Sequence, residues 1–523
     1  MPHSIELTLA SIAPSGEAVG RWPGDERIVL VADAIPGERV RVEITESHAD
    51  WQRGCLLEVL EASPDRVTAP CIYFGPPTPV QLPDGSILNP DGTPRCAGCV
   101  WQHIAYERQL ALKREIVIEQ IASLGQLEST PGKSRQTAEK RVEDAVALGD
   151  PRSPYEDAVL AFGFCTEMDF GLDKSGRLCL PDRKGALLAV DECLLHQPQL
   201  AQLFAAFAVG EETGAALAEE LTGVSLAVGG TGDELTDGQS GSLVLESRRG
   251  DAPQLDLDLP VNVFLRRPAG DTAQADLLVG EWTHKAAAGA AALAVYPPLG
   301  DRRLFWPHVL GNEAIPMIAA ALLEVRPFDY LLDIWAGFGA NSVVLAEQCA
   351  TIVAVEDDPL AAAALQSNLA GLDNIDLLGG PPERVLGEMA ETNYRVHAAL
   401  LTPPEVVDVV QLLPYLIRLG VSRLAVITED SAGLAASLAA IQAKGYALAA
   451  IQPVDLQPHQ ESVTLIARFD RLADATAGYV PPEPQSQPQS RPAREPRLEE
   501  SPRRARRRRT PMTKKGSGKG RSK

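Results

Sequence analysis

The sequence predicts a multidomain α/β protein: an N-terminal β module, a cysteine-rich central α+β region, a C-terminal parallel α/β sheet and a disordered basic tail. Three observations predict it. Residues 1–62 alternate apolar and polar with a period of two between glycine turns, which is the pattern of half-buried strands. From residue 311 onward short apolar runs alternate with amphipathic helical stretches, which argues a parallel sheet. After about residue 472 the chain turns to Pro, Gln and Arg, too polar to bury a core. The expected boundaries are 1–62, 63–310, 311–472 and 473–523.

In the first module, "SIELTLASI" and "RIVLVADAIPGERVRVEI" are strands with a tight turn at Pro36–Gly37–Glu38. Residues 63–120 hold clustered cysteines and then the helix "HIAYERQLALKREIVIEQIASL", apolar at every third or fourth place. Residues 125–157 are polar and irregular and read as a loop or insertion. Residues 158–300 mix short strands with turn-rich stretches such as "VGGTGDELTDGQSGS". The C-terminal part then runs "YLLDI", "TIVAVE", "VHAALL", "RLAVIT" and "SVTLIARF" as strands, with helices between.

The chain of 523 residues carries a net charge of −22, unevenly spread. Residues 481–523 hold 14 Lys and Arg against 4 Asp and Glu, leaving −32 on the residues before them. The acidic body argues against a broad nucleic-acid footprint, while "RRARRRR" at 503–509 can neutralise phosphates without reading sequence. No apolar run approaches the ~18–20 residues of a membrane span. The N-terminus lacks the pattern of a signal peptide, so a cytoplasmic monomer is expected. Eight cysteines are sparse for a disulfide scaffold.

Two motifs carry chemistry. In "LLDIWAGFGANSV" Gly337 and Gly339 lie between a strand and a helix, where backbone can approach a polar ligand. Asp333 closes that strand, and Glu356 closes the next, 23 positions later, suited to accept from both hydroxyls of a ribose. This spacing resembles the first motifs of class I S-adenosylmethionine-dependent methyltransferases; a tight turn with a surface glutamate is the plain alternative. In "RCAGC", Cys96 and Cys99 offer two thiolates on one turn, with Cys71 25 positions before and Cys193 94 after. Four thiolates suit a [4Fe–4S] cluster or tetrahedral Zn²⁺. Small buried hydrophobes are the alternative.

Taken together, the chain resembles the RNA uracil-5 methyltransferase family, in the class with an N-terminal TRAM domain and a four-cysteine iron–sulfur cluster. "PSGEAVGRWPGDERIVLVADAIPGERVRVEI" is similar to TRAM, an OB-like RNA-binding barrel. "CAGCVWQHIAYERQLALKREIV" and "VDECLLHQPQL" resemble the segments that hold the cluster, which makes Cys71, Cys96, Cys99 and Cys193 the implied ligands. "DIWAGFGANSV" resembles the cofactor loop of a Rossmann-like class I methyltransferase sheet. The resemblance implies cofactor contacts from Asp333, Gly337, Gly339, Glu356 and Asn312, and a base at Glu461 in "PHQESVTL". It implies RNA, ribosomal or transfer, as partner.

The departures are as informative. The family's nucleophilic cysteine, which adds to C6 of uracil, matches Glu429 in "RLAVITED". The family's Asp-Pro-x-Arg appears as Thr402-Pro403-Pro404-Glu405, and a cofactor-contacting glutamine as Trp306. The stretch "GGPPERV" at 379–385 replaces polar residues on the adenine side. The expected function is therefore RNA binding on a catalytically degenerate, uracil-5 methyltransferase-like frame. The alternatives are an active RNA methyltransferase that uses Glu429 or Asp430 as base, and an iron–sulfur redox-sensing regulator.

Overall fold

The structure is a computed structural model that describes residues 4–22, 24, 26–125, 127, 130–149, 161–207, 211–229, 241–253, 261–268, 275–280, 284–288, 291–295, 308–392 and 394–473. Trp306 and the basic run at 503–509 lie outside these residues.

Five strands begin the chain: β1 (Ser4–Ile12), β2 (Ala18–Arg21), β3 (Ile28–Val31), β4 (Arg39–Ser47) and β5 (Trp51–Glu61). Neighbours pair antiparallel in the order β3-β2-β1-β4-β5, and a parallel pairing of β3 with β5 closes the barrel. The alternation in β1 turns Ile5, Leu7 and Leu9 inward, where they meet Val29, Val40, Val42 and Leu56. Two short strands, β6 (Val80–Gln81) and β7 (Ile87–Leu88), extend the sheet beyond β5.

Next come α1 (Tyr106–Leu124), α2 (Pro131–Arg141) and β8 (Val146–Ala147). The central sheet holds β9 (Glu167–Leu172), β10 (Leu178–Pro181), β11 (Leu187–Ala189), β12 (Leu221–Val228), β13 (Gly241–Ser247), β14 (Asn262–Arg266) and β15 (Ala275–Val279). Its strand order is β11-β10-β9-β12-β13-β14-β15, with α3 (Pro198–Ala206) and α4 (Glu211–Glu220) between β11 and β12 in the chain. A hairpin of β16 (His284–Ala288) and β17 (Ala291–Val295) follows.

The C-terminal part runs α5 (Gly311–Leu323), β18 (Tyr330–Ile334), α6 (Ala340–Leu345), β19 (Thr351–Glu356), α7 (Pro359–Asn368), β20 (Ile375–Gly379), α8 (Pro382–Glu391), β21 (Ala398–Leu401), α9 (Val406–Leu419), β22 (Arg423–Thr428), α10 (Ser431–Ala443), β23 (Tyr446–Asp455) and β24 (Thr464–Arg471). The sheet order is β20-β19-β18-β21-β22-β24-β23-β8. β18 to β22 are parallel and β24 runs against both its neighbours. The chain leaves β18 toward β20, then returns to β21 on the other side. A crevice at the carboxyl ends of β18 and β21 is the expected consequence of that reversal.

Where residues 125–157 read as a loop or insertion, the structure has the helix α2, and α1, α2 and β8 pack with the C-terminal layer. Val117, Ile118 and Ile121 of α1 and Ala138 of α2 share a core with Leu413, Leu438 and Phe469, and β8 pairs with β23. The polar α2 hides its helical character: Pro131 fixes its first turn, and Arg135 joins Glu139 one turn on and Glu119 of α1. Among the described residues no helix is long and apolar enough to cross a membrane.

Candidate active site and cysteine cavity

The glycine loop follows β18 directly. Trp335, Gly337 and Gly339 all take left-handed backbone, with φ of 57°, 57° and 94°. At Gly339 the φ of 94° strains any residue with a Cβ, and a Cβ there would also push on Leu365 Cδ1 at 2.4 Å. Glu356, at the end of β19, accepts from Gly337 N at 2.7 Å through Oε2, and from Asp357 N and Asp358 N at 2.9 and 2.8 Å through Oε1. Burial pushes its carboxyl up to about 7, with these N–H groups pulling the other way.

Asp333 is fully buried and turned toward α6. It accepts from Asn341 Nδ2 at 3.1 Å and Ser342 Oγ at 2.7 Å, bracing the loop against the helix. Burial raises its pKa. Asn312 is buried in the first turn of α5. Among the buried polar atoms without a hydrogen-bond partner are Asn341 Oδ1, on the helix after this loop, and Thr402 Oγ1, just after β21. Thr402 N donates to Ile334 O, which ties that residue to the end of β18.

The expected carboxylates gather at the same edge of the sheet, where β22 and β23 end and β24 begins. Glu429 is exposed and accepts from Thr464 Oγ1 at 3.3 Å. Asp430 caps α10 by accepting from Gly433 N at 2.7 Å, so its carboxylate is engaged in holding a helix end. Glu461 is half-buried beside the β1–β2 turn. A Cβ on Gly16 would come within 3.0 Å of Glu461 Cβ, and Trp101 Nε1 donates to Gly16 O at 2.9 Å. The barrel thus packs against the base of the Glu461 side chain.

Beneath them lies a buried polar cluster that the sequence reading missed. Lys113 of α1 donates to Asp455 Oδ1 at 2.6 Å and to Gln457 O at 2.9 Å, and Tyr106 OH donates to Asp455 Oδ2 at 2.9 Å. Burial lowers the Lys113 pKa, while Asp455, Glu461 and Glu429 raise it. The available signal was a lysine on an apolar stripe, since Gln109, Leu112, Lys113, Ile116 and Val117 are all buried.

Cys71, Cys96, Cys99 and Cys193 line one cavity of about 250 Å³, with Cys165 and Gln460 also in its wall. Burial pushes the Cys99 thiol up to about 12 and Cys193 up to about 11, and the neighbouring thiols add to both shifts. Among the described residues no set of three or more His, Cys, Asp or Glu stands in a metal-binding arrangement. The cavity is tied to the carboxylate edge. Gln460 Nε2 donates to Gly98 O at 2.9 Å, and Val100 N and Trp101 N donate to His459 O.

Comparison with known proteins follows this geometry. No family model matches the chain. A Streptomyces avermitilis protein named as an uncharacterized RNA methyltransferase is 25% identical over 493 residues, covering 90% of this chain and 99% of its own. A Listeria innocua protein so named is 24% identical over 490 residues, covering 89% and 98%. Among solved structures, the Pyrococcus abyssi tRNA (uracil-54, C5)-methyltransferase in complex with S-adenosyl-L-homocysteine superimposes with a TM-score of 0.57 at 14% identity, over 89% of this chain and all of that one. Over about nine-tenths of its length the chain is therefore similar to proteins named as RNA methyltransferases, and it has the fold of an RNA uracil-5 methyltransferase.

Proposed function

We propose that this chain binds RNA and S-adenosylmethionine on the plan of an RNA uracil-5 methyltransferase and has lost methyl transfer to uracil C5. One observation carries the reading. Glu429 stands at the end of β22, where the resemblance calls for a nucleophilic cysteine. Uracil C5 gains its nucleophilicity from a thiolate adduct at C6, and a carboxylate is a poor substitute for that thiolate.

Cofactor binding is supported by the left-handed glycine loop, by Glu356 and by the unpaired Thr402 and Asn341 oxygens. Glu356 would take the ribose hydroxyls, and Gly337 and Gly339 would let the backbone approach the amino-acid end. RNA as partner is supported by the names of the relatives and by the barrel at the site edge. The cysteine cavity has the donor chemistry of a [4Fe–4S] cluster or Zn²⁺ site: its four thiols are soft and they line one cavity. Cys71, Cys96, Cys99 and Cys193 would hold it.

A second reading is methyl transfer to an RNA nitrogen or oxygen, which needs a base but no nucleophile. It is favoured by Glu429 being exposed beside Thr464, and Glu461 is the other carboxylate at that edge. A third, redox sensing, is favoured by the Gln460–Gly98 link between cavity and edge. Titration with S-adenosylmethionine and RNA, followed by nucleoside analysis, tests all three. Cofactor binding without product supports the first. A methylated nitrogen or oxygen would install the second. RNA affinity that follows the oxidation state of the cysteine site would favour the third. 5-Methyluridine overturns the loss of uracil activity.

A further inference from the structure

The amino ends of the parallel strands lie across the C-terminal sheet from the glycine loop. Tyr330 opens β18 and Ile334 closes it, so about 13 Å of extended chain separates the two ends. Phe328, Tyr330, Tyr394 and His397 gather at this far edge with Arg326. Phe328 is 62% exposed and Tyr330 40%, while Asp329 between them is buried. The Tyr330 ring lies 6.3 Å from Tyr394 and meets His397 edge-on at 5.9 Å. His397 Nδ1 accepts from Tyr330 N at 2.9 Å, which fixes the group to the start of the strand. The Arg326 guanidinium stands over Phe328, 6.0 Å from the ring centroid.

Single exposed apolar side chains are ordinary, but a guanidinium on one ring beside a tyrosine–histidine group offers flat faces and positive charge together. The local acids are already engaged: Asp329 accepts from Arg423 at 2.8 Å and Glu324 from Arg468 at 2.8 Å. Arg326 and Arg395 are exposed, opposite in sign to the acidic body. Asp376 stands near Tyr394, so an anionic chain would pass on the Arg326 side. The last strand of the sheet ends on the same edge, since His397 N donates to Tyr330 O, Ser422 N to His397 O and Arg471 N to Ser422 O. The cationic run at 503–509 follows in the sequence from there.

Resting on the RNA-binding reading, we propose that this edge is a second contact surface for the RNA, where unpaired bases stack on Phe328 and Tyr330 and the backbone passes Arg326. Every base has a π-face, so stacking on an exposed ring adds affinity without reading sequence. It takes bases freed from a helix, which duplex RNA does not offer. Because the edge lies at the far end of β18 from the cofactor loop, the bases held there flank the nucleotide in the site.

The test measures fluorescence anisotropy of a labelled single-stranded RNA of mixed sequence, and of the matching duplex, against the full chain. The variants are Phe328→Ala, Tyr330→Ala and Phe328→Trp, with thermal melting to report folding. Each alanine variant should lose about fivefold or more in single-strand affinity with duplex affinity unchanged, and Phe328→Trp should keep the wild-type affinity, since its larger face stacks at least as well. Alanine variants within about twofold of a wild type that binds the strand overturn the proposal. Sedimentation in which the wild type self-associates and Phe328→Ala does not would, with that result, give the edge to a second copy of the chain. A loss in Phe328→Trp as large as in Phe328→Ala overturns stacking as the contact. If Tyr330→Ala does not fold, the Phe328 variants decide alone. No binding of either RNA by the wild type overturns the RNA reading itself, and this proposal with it.

Discussion

The Lys113 ammonium lies 2.6 Å from the Asp455 carboxylate, and neither side chain is exposed. The pair starts the segment that carries Glu461, because Asp455 ends β23 and also accepts from Gln457 N at 3.0 Å. Removing one partner of a buried pair strands the other charge. Lys113→Met should cost about 3–5 kcal/mol in urea unfolding. Adding Asp455→Asn removes the stranded charge and keeps an acceptor for Tyr106, so the double variant should recover part of that loss. A cost of less than about 1 kcal/mol for the single change would show the pair to be energetically idle.

Glu356 predicts a pH dependence. Its folded carboxyl sits at about 7, above the ordinary 4.5. The folded chain therefore keeps a proton between these values that the unfolded chain has lost. This group favours folding most below about 4.5, and that contribution disappears as pH rises through about 7. Ribose hydroxyls donate to the ionised form, so S-adenosylmethionine affinity should run the other way, rising with pH and levelling above about 7. Calorimetric titration across that range checks it. Glu356→Gln should bind weakly at every pH with the slope gone, and a slope that survives would place the titrating group elsewhere.

The strands were legible because their period and their length agree. "YLLDI", "TIVAVE" and "RLAVIT" became β18, β19 and β22 at the expected residues. β1 kept its alternation inside a closed barrel. The glycine loop was legible too, since left-handed backbone leaves a mark in residue type. The Lys113–Asp455 pair was not, because its partners are 342 positions apart and periodicity carries no long-range pairing. α2 was missed for a related reason: it is held by docking through buried Ala138, with only exposed ion pairs on its surface and no apolar stripe to announce it.

The cysteine cavity predicts a metal phenotype. Thiols pushed to about 12 and 11 are protonated at neutral pH, and a bound metal would replace those protons. Protein purified without oxygen should carry about four iron and four sulfide per chain, with the broad visible absorption of a [4Fe–4S] cluster. Cys99→Ser and Cys193→Ser should each lose that colour. A colourless protein with one zinc would select the alternative metal, and a metal-free protein with all four thiols titratable would make the cavity purely structural.

Glu429 predicts that a single substitution cannot restore uracil chemistry. Glu429→Cys supplies the thiol, but it also removes the acceptor of the Thr464 hydroxyl. The segment after β21 still reads Thr402-Pro403-Pro404-Glu405, where the resemblance calls for Asp-Pro-x-Arg, and the Thr402 hydroxyl there has no partner. A nucleophile works only with its positioning and proton-handling groups in place, and their effects do not add. The variant should therefore give no labelled 5-methyluridine from RNA and labelled S-adenosylmethionine, while its cofactor affinity stays that of the natural chain. Turnover by Glu429→Cys alone would mean that the rest of the uracil site is intact and that one residue separates binding from catalysis.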